Sequence, residues 1–251
     1  SQGTLHPRTR IRDFHKIPLD IREIGAPRDG VEQVSDRRLY IQIQVFSGCP
    51  DLTLLASLLQ ESGLEGALYS DLNNPYGVGV ALIAESPDLL VGEARALLKA
   101  EPFASLKHRP ELTMVGRTYA SGYERDLEDM LLSKPRRNIL NPEWPWAVWY
   151  PLRRKPEFAL LPGKDQGKIL GEHAALGRSY ARSGYANDIR LACYGLDEND
   201  NDFTIGLVGA ELHPISRVVQ EMRKTQQTAR YIESLGPFFV GKAVWQSPMK
   251  T

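Results

Sequence analysis

The sequence predicts an α+β protein of two fused ferredoxin-like repeats, their antiparallel sheets merged into a barrel-like body with the helices outside. Two observations predict it. Strand and helix patterns run β-α-β-β-α-β from residue 37, then run in the same order again from residue 146. The halves also share local detail: VALIAES-PDLL in the first matches IGLVGAEL-HPIS in the second, with Pro87 and Pro214 at equivalent helix starts. Two such units side by side can join their sheets and leave their helices on the outside.

Residues 1–36 are polar, basic and punctuated by Pro7, Pro18, Gly25, Pro27 and Gly30, which predicts an extended arm. The first repeat covers 37–131. LYIQIQVF (39–46) alternates like a half-buried strand, and DLTLLASLLQESG (51–63) reads as a helix stopped at Gly63. GALYSDL (66–72) and YGVGVALIAES (76–86) form a hairpin. PDLLVGEARALLKAEPF (87–103) is a helix opened by Pro87, and TMVGRTYAS (113–121) is a strand. LSKPRRNILNPEWP (132–145), rich in proline and charge, reads as a linker.

The second repeat covers 146–251. WAVWYPL (146–152) is its first strand and DQGKILGEHAALGRSYARSG (165–184) its first helix. IRLACYG (189–195) and DFTIGLVGAEL (202–212) form a hairpin. HPISRVVQEMRKTQQTARYIESLG (213–236) is one long helix, and PFFVGKAVW (237–245) the last strand.

Composition narrows the function. Of the residues, 42% are hydrophobic and 25% charged, as in a soluble globular protein. The 31 basic and 31 acidic side chains cancel, so bulk charge gives no argument for nucleic acid or an anionic membrane as partner. No apolar run approaches the ~20 residues that span a bilayer. Cys49 and Cys193 make neither a metal-type pair nor a disulfide framework, and each sits in or beside an apolar strand. Buried free thiols and a cytoplasmic setting are expected.

The chemistry concentrates between Trp149 and Tyr180. Ile169, Leu170, His173, Leu176 and Tyr180 share one helical stripe, so a single imidazole projects from an apolar face. By itself such a histidine reads as a surface or satisfied core group. A neutral imidazole aimed into an apolar pocket is also how haem iron is commonly held from one side. The other histidines sit in the arm (His6, His15), in a loop (His108) or before Pro214 (His213).

Two segments, WYPLRRKPEFALLPGKDQGKILGEHAALGRSY (149–180) and ARYIESLGPFFVG (229–241), resemble the chlorite dismutase-like haem proteins, which include the peroxide-dependent coproheme decarboxylases. The resemblance spans roughly residues 37–245 and implies haem b or coproheme in the second repeat. It makes His173, within Glu172-His173…Gly177-Arg178-Ser179-Tyr180, the axial iron ligand. Relatives place a glutamate where Gln226 stands, close to that histidine. A neutral amide would leave the imidazole a less basic ligand and weaken peroxidase-type chemistry.

Decarboxylases carry a Tyr-Pro-Met-x-Lys sequence whose tyrosine forms a radical beside a propionate. Tyr150-Pro151-Leu152-Arg153-Arg154 resembles it, with Arg154 at the basic position. The bare alternative for Tyr150 is a strand-end tyrosine reaching solvent. Over the iron, chlorite dismutases need an arginine and decarboxylases commonly have glutamine. Counting back from Gly195 reaches Asp188, whereas counting forward from His173 reaches Ala186. Strand alternation puts Asp188, Arg190 and Ala192 on one face and Ile189, Leu191 and Cys193 on the other. Asp188 or Arg190 is therefore the distal candidate, Asp188 as a proton shuttle for peroxide; otherwise both are solvated residues at a strand start. Arg223, Thr228 and Arg137 resemble propionate contacts, and Phe158 lies where relatives place a tryptophan against the macrocycle. Trp144, Trp146 and Trp149 fit core, subunit interface or haem contact equally well.

Phosphate-loop, Ser-His-Asp and zinc-site patterns are absent. Three functions remain: decarboxylation of coproheme with peroxide, chlorite dismutation, or haem binding without catalysis. The resemblance also implies a homo-oligomer, a ring of five.

Overall fold

The computed structural model describes residues 18–250. His6, His15 and the first part of the expected arm lie outside the described residues. Within the rest of the arm, β1 (Glu23–Ile24) and β2 (Val34–Ser35) pair as a small hairpin. The first repeat follows as β3 (Tyr40–Ser47), α1 (Leu52–Ser62), β4 (Glu65–Asp71), β5 (Val78–Ala84), α2 (Pro87–Val91), α3 (Glu93–Lys99), β6 (Lys107–His108) and β7 (Met114–Arg117). A π-type turn (Asp129–Ser133) leads into α4 (Lys134–Leu140). The second repeat comprises β8 (Trp146–Arg154), α5 (Gly163–Arg182), β9 (Asn187–Ala192), β10 (Phe203–Gly209), α6 (Leu212–Met222), α7 (Gln226–Tyr231), β11 (Ile232–Leu235) and β12 (Phe239–Gln246).

Each repeat orders its four main strands alike, β7-β3-β5-β4 in the first and β12-β8-β10-β9 in the second. That is the ferredoxin-like order, the last strand beside the first. The units join where β4 meets β12 and where β9 meets β7, so the antiparallel pairings close into a circuit of eight strands. The joints are unequal. β12 and β4 register from Gly241↔Asp71 to Gln246↔Ala67, whereas β7 and β9 share the single pair Arg117↔Ala192.

Strand alternation sends one set of side chains into the circuit: Ile41, Ile43 and Val45 of β3, Ala147 and Trp149 of β8, Ile189 and Leu191 of β9, and Phe239 of β12 form one buried cluster. Trp149 is fully buried there, which settles it as a core residue. Its indole lies against Gly206 of β10, where an added Cβ would come within 2.7 Å of Cζ3. Outside the first unit, Leu55 and Leu59 of α1 pack on Phe46, Leu68, Val80 and Leu82. Asp51 caps α1 by accepting from the Thr53 N–H, and Gly63, at φ 72°, ends it.

Three elements differ from expectation. The helix expected over 87–103 breaks at Gly92, where a Cβ would lie 2.9 Å from the Asp88 carbonyl oxygen. The helix expected over 213–236 stops at Met222. Thr225 restarts it, its hydroxyl donating to the Met222 carbonyl and accepting from the Thr228 N–H, and residues 232–235 leave as a strand beside β8. Half of the segment 132–145 is α4, and the segment packs Leu132, Ile139 and Leu140 into the interior cluster. Its charge is absorbed locally, Arg136 donating at 2.8 Å to the nearly buried Glu65 of β4.

Candidate functional site

The second unit departs from the first in how its long helix sits. Helix α5 is twenty residues long, yet none of them is buried. Its inward stripe, Ile169, Leu170, His173, Leu176 and Tyr180, is only half-covered. At Val148 and Leu207 the outer face of the sheet is covered instead by α6, through Ile215 and Val218. The two units use the same plan, but here the histidine-bearing helix stands off its sheet.

The outer sheet face opposite α5 is set by register. Tyr150 lies across from Ile205 and Leu152 across from Phe203. On the other side of β10, Asp188 is opposite Leu207, Arg190 opposite Ile205 and Ala192 opposite Phe203. Directly opposed residues share a face, so Tyr150, Asp188 and Arg190 project together, with Arg154 two positions beyond Leu152. Ile189 and Leu191 point the other way, into the interior cluster. Ala186, which the other count reaches, is buried in the cluster of Val148 and Ile215 before β9 begins.

His173 is half-buried, and its Nδ1 is sealed from solvent with no hydrogen-bond partner. Burial pushes its pKa down, the charge of Arg190 adds to the effect, and Asp188 opposes it. Burial thus favours the neutral imidazole over the charged one. Arg190 Nε lies 3.3 Å from Asp188 Oδ2, and both side chains stay open to solvent, at 45% and 40%. Burial works against the charge of Arg190, but Asp188, Tyr119 and Glu124 outweigh it and raise the pKa. Asn138 of α4 steadies this strand by donating to the Asp188 carbonyl at 2.9 Å.

Tyr150 stacks on Phe238 with ring centroids 4.6 Å apart. Burial raises its pKa well above the ordinary value; Asp188 adds to this and Arg223 opposes it, so the phenol lies between an acidic and a basic neighbour and keeps its proton. Arg154 packs over two rings, 4.6 Å from the centroid of Phe158 and 4.7 Å from that of Phe203. Its Nη2 donates to Gln227 Oε1 at 3.3 Å, its backbone N–H donates to Asp202 at 2.9 Å, and its Nε is buried without a partner. Burial lowers its pKa, with Tyr194, Tyr119 and Asp202 opposing. Phe158 is 3% exposed and also meets Tyr231 edge-on.

Three other expected residues, Arg137, Gln226 and Thr228, stand apart from this face. Arg137 is held by Asp129 at 2.7 and 3.3 Å and lines a different, open cavity of about 720 Å³ beside Trp245 and Met249. An arginine already bound to a carboxylate has little left for a second one. Gln226 is exposed, and its backbone N–H, not its amide, donates to Glu172 at 3.1 Å. The buried amide of α7 is its neighbour Gln227, which serves Arg154 rather than His173. Thr228 completes the Thr225 cap, and Arg223 is exposed with no ion pair among the described residues.

Tyr119 was missed. Its ring meets Phe203 at 5.7 Å, and burial raises its pKa while Arg190 and Arg154 pull it back. Continuing the β7 alternation through Val115 and Arg117 would have put Tyr119 on the outer face. Nothing local says that this edge of the first repeat borders the second repeat's cleft. Among the described residues no cluster of three or more His, Cys, Asp or Glu could hold a bare metal ion, and no helix is long and apolar enough to cross a membrane.

A closed eight-strand circuit with its helices outside defines an α+β barrel-like class, and the one half-buried imidazole of α5 belongs to its second half. The sequence pattern of the chlorite dismutase family matches residues 74–244, and the chain belongs to that family. The fold is similar to a heme-binding protein from Thermus thermophilus at a TM-score of 0.64 and 21% identity, over 82% of this chain and 91% of that one. It is also similar to a mutant chlorite dismutase from Candidatus Nitrospira defluvii, TM-score 0.66 and 14% identity, over 83% and 92%. The chlorite dismutase of that organism in complex with imidazole matches at a TM-score of 0.62 and 13% identity, over 83% and 92%.

Proposed function

We propose that this protein binds an iron porphyrin between α5 and the outer face of β8, β10 and β9, and that it decarboxylates coproheme to haem b at the expense of peroxide. One observation carries this reading: the cleft joins a neutral imidazole lacking any partner for Nδ1 to a face bearing Tyr150, Arg154, Asp188 and Arg190. The residues fit such a group. A flat, apolar ligand would cover the half-exposed α5 stripe, and a carboxylate would meet the guanidinium of Arg154, which forms no ion pair among the described residues.

His173 would hold the iron through one ring nitrogen. Arg154 and Arg223 would hold carboxylates, and Phe158 would stiffen Arg154 from below. Tyr150 lies beside those cations and keeps its phenolic hydrogen available at the reacting carboxylate. Asp188 would take a proton from bound peroxide at a carboxylate oxygen and return it. Peroxide is the oxidant, and the iron, when bound, would carry its oxidising equivalents to the propionate.

Coproheme mixed with peroxide should lose one carboxyl group and then a second, read by mass spectrometry. Tyr150→Phe should stop both losses while leaving the iron ligand in place, and unaffected turnover would sink the assignment. A second reading, dismutation of chlorite, is favoured by the arginine on the cleft face, Arg190; oxygen evolved from chlorite is its measurement. The buried free thiols of Cys49 and Cys193, the latter pushed up to about 11 mainly by burial, suit a reducing cytoplasm. Assembly as a homo-oligomer, a ring of five, rests on the family resemblance.

A further inference from the structure

Helix α5 buries none of its residues, so its position depends on particular contacts along its length. In its first turn Gln166 Nε2 donates to the Leu161 carbonyl at 2.9 Å and to the Ala159 carbonyl at 3.3 Å. Toward its end Tyr180 packs with Met222 of α6 in the cluster around Ile215 and Val218. Between these, directly beside His173, Glu172 Oε2 accepts from the Gln226 N–H of α7 at 3.1 Å. A helix leaves its first N–H groups without internal partners. In α7 the chain's own Thr225 takes one of them, from Thr228, and α5 takes another through Glu172.

The far side of α7 is fastened to β8. The Lys155 N–H donates to the Tyr231 carbonyl at 2.7 Å, and β11 leaves α7 to pair with β8. Gln227, buried in α7, accepts from Arg154 Nη2 at 3.3 Å. An unbroken path therefore joins the imidazole to the guanidinium. His173 follows Glu172 in the chain, Glu172 is bonded to Gln226, Gln227 follows Gln226, and Gln227 is bonded to Arg154.

We propose that Glu172 is a positioning residue: its bond to α7 sets the separation of His173 from Arg154, and so selects an iron porphyrin whose free carboxylate meets Arg154 when its iron meets His173. The proposal rests on the porphyrin reading above and adds what makes the two anchors of that ligand act together. Two contacts on one rigid frame reinforce each other, because making the first leaves little left to order for the second. With α5 released from α7, the imidazole could follow the iron of any porphyrin, and Arg154 would act alone.

The test is titration of the apo-protein, followed in the Soret region, with haem b and with haem b dimethyl ester, whose carboxylates are masked. Glu172→Ala should weaken haem b by about tenfold, as loss of a hydrogen bond to a charged group does, and the ester by less than about twofold. Alanine is well tolerated at an exposed helical position, so the apo circular dichroism should not change. Glu172→Gln keeps an acceptor oxygen at the same reach and should restore most of the affinity. Gln227→Met cuts the same path at its other bond and should also spare the ester. Adding Glu172→Ala to Arg154→Leu should weaken haem b little further, since the two residues act on one contact. Unchanged haem b affinity in Glu172→Ala, equal weakening of haem b and its ester, or strict additivity with Arg154→Leu overturns the proposal and leaves the porphyrin reading intact. A wild-type protein that forms no Soret complex overturns the porphyrin reading, and this proposal with it.

Discussion

Replacing His173 by leucine should move the apo-protein and the loaded protein in opposite directions. In the apo-protein the imidazole carries a sealed nitrogen, Nδ1, without a hydrogen bond. A buried polar group in that state costs about 1–3 kcal/mol, and an apolar side chain of similar size removes the cost. Leucine also extends the apolar stripe of Ile169, Leu170 and Leu176. Allowing for imperfect fit, a net gain of about 1–2 kcal/mol is expected. At about 2–4 °C per kcal/mol for a chain of this size, the apo Tm should rise by ~2–8 °C. Saturating haem should stabilise the wild type further, by about 2.7 kcal/mol at a hundredfold excess over Kd, and this increment should vanish in His173→Leu. Differential scanning calorimetry with and without haem reads both arms. A fall in the apo Tm would refute the reasoning, because it would make His173 an ordinary packing residue. Survival of the haem increment would refute its role as ligand.

Other expectations follow from the same geometry. Because burial depresses the folded-state pKa of His173 below its ordinary 6.5, the unfolded chain binds the proton more readily; apo stability should be full above pH 6.5 and fall as pH drops below it, and His173→Leu should flatten that slope in urea titrations. Arg154→Leu leaves Gln227 Oε1 without its donor and should weaken porphyrin carboxylate binding by roughly tenfold or more, as loss of a charge-assisted contact does, with little change in the iron-ligand spectrum. Gly206→Ala drives a methyl into the sealed Trp149 indole and should cost about 1–3 kcal/mol in chemical denaturation; an unchanged midpoint would mean that β8 and β10 can part freely.

The sites most legible in the sequence were those carried by a local period. The α5 stripe that singles out His173 needs only the 3.6-residue repeat, and the separation of Asp188 and Arg190 from Ile189 and Leu191 needs only the two-residue alternation of a strand. Both periods are properties of the backbone and survive any tertiary context. The breaks at Gly92 and Thr225 were less legible, since apolar periodicity continues across each of them while a glycine approach or a threonine cap decides the stop. The helix within the linker is hidden for a related reason: proline and charge in 132–145 suggest exposure, but Pro135 falls in the first turn of α4, where it is tolerated, and Arg136 has a buried partner in Glu65.

The sequence by itself determined the duplicated β-α-β-β-α-β order, the family resemblance, and which residues share a face of each element. These follow from chain-local geometry, from motif matching and from the order of apolar and polar residues. Only the tertiary structure decided which elements meet. It closed the two sheets through β4–β12 and β7–β9, sent Trp149 to the core, and stood α5 away from the sheet. It also paired Arg137 with Asp129, left Gln226 in solvent, and brought Tyr119 of the first repeat against Phe203 of the second. Such meetings depend on how two apolar surfaces fit and on which charges end up adjacent. These are relations between positions far apart in the chain, and no local pattern records them.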